Sequence, residues 1–157
     1  MRSLRLSFFA AMALCCASCQ TLRNDRADAA PRAAFDQFIA AFNSLDWEAF
    51  RRSFADSASL FNPDIPDAIS LHRMDGRNDI ERNFRAVFDA ADAGTDHERS
   101  PNIRPENVRL QSFGDTVIIT FEFTRSGHST GRRTIVFNKL KGSWLIVHIH
   151  ASNVTAR

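Results

Sequence analysis

Gly131-Arg132-Arg133-Thr134-Ile135-Val136-Phe137-Asn138-Lys139-Leu140, then Lys141-Gly142, then Ser143-Trp144-Leu145-Ile146-Val147-His148-Ile149-His150-Ala151-Ser152 is the stretch on which the fold turns. Two runs rich in β-branched and aromatic residues, separated by a two-residue turn containing glycine, predict a β-hairpin. Strict alternation along the second run puts Trp144, Ile146, His148, His150 and Ser152 on one face and Leu145, Val147 and Ile149 on the other. Both faces begin apolar, so the strand is expected to be covered on both sides. Only the face with the two histidines turns polar toward its end, and chemistry is expected there.

Upstream of the hairpin, Asn107 to Phe113 and Thr116 to Arg125 read as strands joined at Gly114-Asp115. Val117, Ile119, Phe121 and Phe123 share one face of the second, and Glu122 lies on its half-polar face. Thr95 to Pro105 holds two prolines and reads as a loop carrying Asp96-His97-Glu98. A helix is expected over Asn78 to Asp92, with Ile80, Phe84, Val87, Phe88 and Ala91 on one side. Before it, Ser57 to Asn62 and Ala68 to Arg73 read as short strands around the irregular Pro63-Asp64-Ile65-Pro66-Asp67.

The N-terminal third is helical by its spacing. Pro31 opens a first helix whose Phe35, Phe38, Ile39 and Phe42 form an apolar stripe. Asp46 caps a second, with Trp47, Phe50 and Phe54, and Leu45 and Phe50 stand at the positions of a hydrophobic staple. Helices followed by a run of strands indicate an α+β domain with an antiparallel sheet. That domain is expected over residues 31–157.

Residues 1–18 read differently. Arg2 and Arg5 precede the apolar Leu6 to Leu14 and a small-residue stretch, the pattern of a secretory signal peptide. Cys16-Ala17-Ser18-Cys19 resembles a bacterial lipobox, with Cys16 where such motifs usually carry leucine, and implies lipidation of Cys19. Residues 19–30 would then tether an exported, periplasmic or cell-surface domain to a membrane. Cys15, Cys16 and Cys19 are the only cysteines, so neither a disulfide nor a cysteine metal site is expected in the domain. Without Arg2 and Arg5 the 20 basic residues become 18, against 18 acidic ones, and no nucleic-acid partner is expected.

The helix pair through Asp46-Trp47-Glu48-Ala49-Phe50, the junction His72-Arg73-Met74-Asp75-Gly76-Arg77-Asn78-Asp79-Ile80 and the ending Gly142-Ser143-Trp144 with His148-Ile149-His150-Ala151-Ser152 resemble the SnoaL-like branch of the nuclear transport factor 2-like superfamily. The His-x-His-x-Ser ending is also similar to the association domain of calcium/calmodulin-dependent kinases. The resemblance implies a cystatin-like fold: a curved sheet wrapped around about three helices, forming a cone with a pocket. It also implies frequent homodimerisation through the outer face of the sheet. A shared fold leaves activity open.

For the site itself, His148, His150, Ser152, Arg133, Trp144 and Glu122 are the candidate ligand contacts, with a small apolar or amphipathic molecule as the expected partner. His148 and His150 are also the candidate catalytic groups of a proton-transfer isomerase or cyclase. Zinc would want a third ligand, with His72 or Glu122 available, but no spacing demands it; no metal or cofactor is expected. Arg132 and Arg133 point to opposite faces, and one of them can reach the histidine face to hold an anion. Asp64 and His97 are lesser acid/base candidates. The chain lacks tyrosine, which removes the oxyanion donor that resemblance to ketosteroid isomerases would imply. A pure association module with its pocket filled by side chains stands as the third reading.

Overall fold

The structure is a computed structural model that describes residues 28–62, 73–92, 102–124 and 129–155. The first helix, α1, occupies residues 28–43 and so begins before Pro31. It is followed by α2 (Trp47–Arg52), β1 (Phe54–Phe61), β2 (Met74–Asp75), α3 (Arg77–Asp92), β3 (Glu106–Phe113), β4 (Thr116–Thr124), β5 (Ser129–Leu140) and β6 (Ser143–Thr155). The expected signal peptide, Cys19 and most of the tether lie outside the described residues, as do Asp64, His72 and Asp96-His97-Glu98.

Local chemistry accounts for the element boundaries. Asp46 caps α2, its Oδ1 accepting the Ala49 N–H at 2.9 Å. The β5–β6 turn places both Lys141 (φ 49°) and Gly142 (φ 89°) in the left-handed region, as the twist of a two-residue hairpin demands. Asn43, at the end of α1, donates to Ile103 O and accepts from Ile103 N, both at 2.8 Å, tying the helix to the segment that enters β3.

The six strands form one unclosed sheet in the order β2-β1-β6-β5-β4-β3. All pairs are antiparallel except β1 with β6, which is parallel, so the sheet is mixed rather than wholly antiparallel. The parallel pair arises because β6 returns from the end of the chain to lie between β1 and β5, and its direction is fixed by the hairpin with β5.

The helices cover one side of the sheet. On that side Val117, Ile119, Phe121, Ile135, Phe137, Ile146 and Ile149 are buried. Phe35 meets Phe121 edge-on at 5.2 Å, and Phe38 meets Phe54 at 5.8 Å. Phe50 is the hub: six rings, those of Phe38, Phe42, Trp47, Phe54, Phe84 and Phe88, lie between 5.0 and 6.0 Å from it. Among the described residues, the space between helices and sheet is therefore occupied by aromatic side chains, each of which brings a large apolar area to the core.

Candidate functional site

The two histidines do not face that interior. In the β5–β6 pairing, Val136 is opposite His148 while Phe137 is opposite Ile146, which leaves Val147 as an extra residue in a β-bulge. A bulge shifts the alternation by one, and every side chain beyond it changes face. Ile146 and Ile149, three residues apart, consequently both enter the core, at 0% and 5% exposure. His148, His150 and Ser152 swing to the open side, away from the helices. Trp144 and Ile146 stay on the helix side, so the expected single face is split. Trp144 packs against the core and borders a different depression, of about 530 Å³, beside α1 and α2. It is thus removed from the site that contains His150.

The open side is ordered in rows that cross the strands. One row runs Gln111, Ile118, Val136, His148 and Ser59. The next runs Arg109, Thr120, Thr134, His150 and Phe61, and a third runs Glu122, Arg132 and Ser152. No described helix covers these rows. The second and third rows border an open groove of about 370 Å³, lined by residues that include Arg109, Thr120, Glu122, Arg132, His150 and Ser152, while His148 and its row lie beside it.

His148 is the half-buried member. Its Nδ1 lies 2.9 Å from Ser59 Oγ, and the shared proton sits on either atom according to the imidazole tautomer. Its basicity is lowered, first by burial, then by the neighbouring His150 and Arg73. His150 is exposed, with the Phe61 ring 5.7 Å away; the same Phe61 lies 6.0 Å from His148.

The arginines divide as their alternation requires. Arg132, not Arg133, extends over the histidine face, where its Nε lies 3.3 Å from Glu122 Oε1. Glu122 also accepts from Asn107 Nδ2 at 3.0 Å. Arg133 borders the groove, but its guanidinium lies 4.8 Å above the Phe123 ring and donates to Ser152 O and Asn153 Oδ1. Arg109 was not foreseen. It reaches the groove because β3 pairs with β4 in a register that sets it opposite Thr120. It is exposed and makes no hydrogen bond or ion pair within the described residues. Its place in an edge strand with mixed apolar and polar positions gave no sequence signal that set it apart from a solvated charge.

The arrangement can therefore receive a small molecule with an anionic group. One uncommitted guanidinium, a second shared with Glu122, two threonine hydroxyls and an imidazole share one open surface. Among the described residues no three His, Cys, Asp or Glu side chains cluster as a metal site.

The fold recurs widely. A nuclear transport factor 2-like family protein from Streptomyces avermitilis, provisionally assigned as a dehydratase, superposes with a TM-score of 0.66 at 18% identity, covering 84% of this chain and 99% of that one. A provisionally assigned calcium/calmodulin-dependent protein kinase type II association domain from Thiobacillus denitrificans gives 0.62 at 20% identity, covering 80% and 96%. A cystatin-like fold protein from Burkholderia xenovorans gives 0.62 at 20% identity, covering 82% and 92%. At these identities the likeness carries the fold alone. No curated protein matches the sequence. The family model of the SnoaL-like domain matches residues 32–156, nearly the whole of the helices and sheet described above, and the chain belongs to that family.

Proposed function

We propose that this chain is an exported, lipid-anchored, homodimeric binding domain that holds a small amphipathic molecule by its anionic group. The observation that carries the reading is the row Arg109, Thr120, Thr134, His150 on the open side of the sheet. Three strand spacings of about 4.8 Å put its ends about 14 Å apart, a span suited to a small molecule rather than a lone ion. Arg109 supplies the fixed positive charge, since a guanidinium stays protonated and matches a carboxylate or phosphate in a two-bonded fork. Ile118, Val136 and Phe61 in adjoining positions supply apolar surface for the rest of the molecule. Export and the Cys19 anchor rest on the N-terminal sequence, and dimerisation rests on the family resemblance and on the partly apolar sheet face around Ile118 and Val136, short of the hairpin tips.

The test uses the intact purified protein. Native mass spectrometry and displacement of a fluorescent fatty acid are expected to reveal one amphipathic anion held per protomer, lost in Arg109→Ala. Retention unchanged in both Arg109→Ala and Arg132→Ala would refute the proposal.

Among the described residues the aromatic-packed space between helices and sheet favours one second reading, an association module without a ligand. In that case Ile118→Glu, on the open face, abolishes the dimer and the biological activity, and Arg109→Ala leaves both intact.

A further inference from the structure

We infer that the paired tips of the β3–β4 and β5–β6 hairpins form a contact surface for an anionic phospholipid bilayer. Phe113 and Leu140 are the two large apolar residues at these tips, at 60% and 37% exposure. Both fall on the open side of the sheet, through Phe113 opposite Thr116, Thr116 opposite Asn138, and the alternation from Asn138 to Leu140. The Lys139 N–H donates to Asp115 O at 2.8 Å, which holds the two tips side by side.

The charges around them are selective. Of the 20 basic residues in the sequence only two are lysines, Lys139 and Lys141, and they flank Leu140. Both are exposed and neither forms an ion pair within the described residues. Asp115 is the acid in the adjoining turn. A lysine on a flexible stem lets an apolar neighbour enter the headgroup region while its ammonium stays among lipid phosphates. Basic residues near an anionic surface add attraction that salt screens.

The point where the chain enters the fold is at the same place. Ser112, next to Phe113, donates its hydroxyl to the Asp28 carboxylate at the start of α1. Eight residues lie between Cys19 and Asp28, and the nine Cα–Cα steps reach at most about 30 Å. The inference rests on the lipid-anchor reading for the position of the bilayer: an acyl chain on Cys19 keeps this edge, rather than the α3 edge, nearest the membrane.

The experiment uses the full exported protein reconstituted in phosphatidylethanolamine–phosphatidylglycerol vesicles. Phe113→Cys, Leu140→Cys and, as a control on α3, Arg82→Cys are each labelled with an environment-sensitive fluorophore. A lipidated Cys19 has no free thiol, and an unlipidated one would label all three proteins alike. Lipid-borne quenchers are expected to dim the labels at 113 and 140 and not the label at 82, and Lys139→Glu with Lys141→Glu is expected to reduce that quenching. Equal quenching at 113 and 82 would overturn the inference. So would a label at 113 whose emission shifts with protein concentration in vesicle-free solution, because that assigns the patch to a second copy of the chain. The mass of the mature N-terminal peptide reports separately on the anchor; if Cys19 carries no acyl group, vesicles added to the soluble protein give the same comparison.

Discussion

Ser59 Oγ and His148 Nδ1 lie 2.9 Å apart across the only parallel strand pair among the described residues. That contact exists because Ser59 and His148 are direct register partners on the open side, where β6 has already passed its bulge. It half-buries an imidazole beside another imidazole and an arginine, and this has a consequence for pH.

The folded chain holds His148 with a lowered pKa, chiefly through burial and then through His150 and Arg73. The unfolded chain therefore binds the proton more readily, and stability must fall as pH drops below the unfolded value of about 6.5. The loss levels off once pH is below the folded value. Urea titrations from pH 8 to pH 5 are expected to show this decline, and His148→Gln is expected to flatten it. A decline of equal size in the variant would mean that other groups cause it.

Gly131 is required by contact, not by backbone angle. A Cβ there would overlap the Phe123 ring, which is itself held under the Arg133 guanidinium. Gly131→Ala is expected to cost about 1–3 kcal/mol through overpacking. Phe123→Leu in the same chain should recover part of it. Denaturant midpoints of the single and double variants check both statements.

Phe50 sits at the meeting point of α1, α2, α3 and β1. Phe50→Ala is expected to cost about 3–5 kcal/mol, the range for a large ring lost from a packed core. Asp46→Ala, four residues earlier, removes only the cap bond to Ala49 and should cost about 1 kcal/mol. Thermal unfolding of the two variants should separate them clearly; a similar loss in both would mean that the aromatic cluster is looser than its geometry.

Arg109 and Arg132 differ in prior commitment, since Arg132 already lies against Glu122. Arg109→Ala is therefore expected to weaken retention of an anionic ligand by about tenfold or more, the scale of a lost charge-assisted bond. Glu122→Gln should strengthen retention by freeing Arg132. Equilibrium competition with a fluorescent fatty acid measures both, and weaker binding in Glu122→Gln would count against the groove as the site.

Sequence alone determined the elements and their class. The apolar stripe of Phe35, Phe38, Ile39 and Phe42, the Asp46 cap and the Lys141-Gly142 turn are local chemistry and are found in the expected elements, although α1 begins before Pro31 and Phe54, expected in the second helix, opens β1. The resemblance carried by the Asp46–Phe50 helix pair, the His72–Ile80 junction and the Gly142–Ser152 ending led to the family that the whole domain matches. Which way His148 and His150 point was decided only by the tertiary structure. Leu145, Ile146 and Val147 are consecutive and apolar, so nothing in them marks where alternation breaks. The break falls at Val147 because burying both Ile146 and Ile149 under the helices outweighs keeping an unbroken ladder, and the bulge that admits both turns the imidazoles outward. Strand pairing likewise brought Arg109 into the row of His150 from about forty residues away, a neighbourhood no local pattern contains.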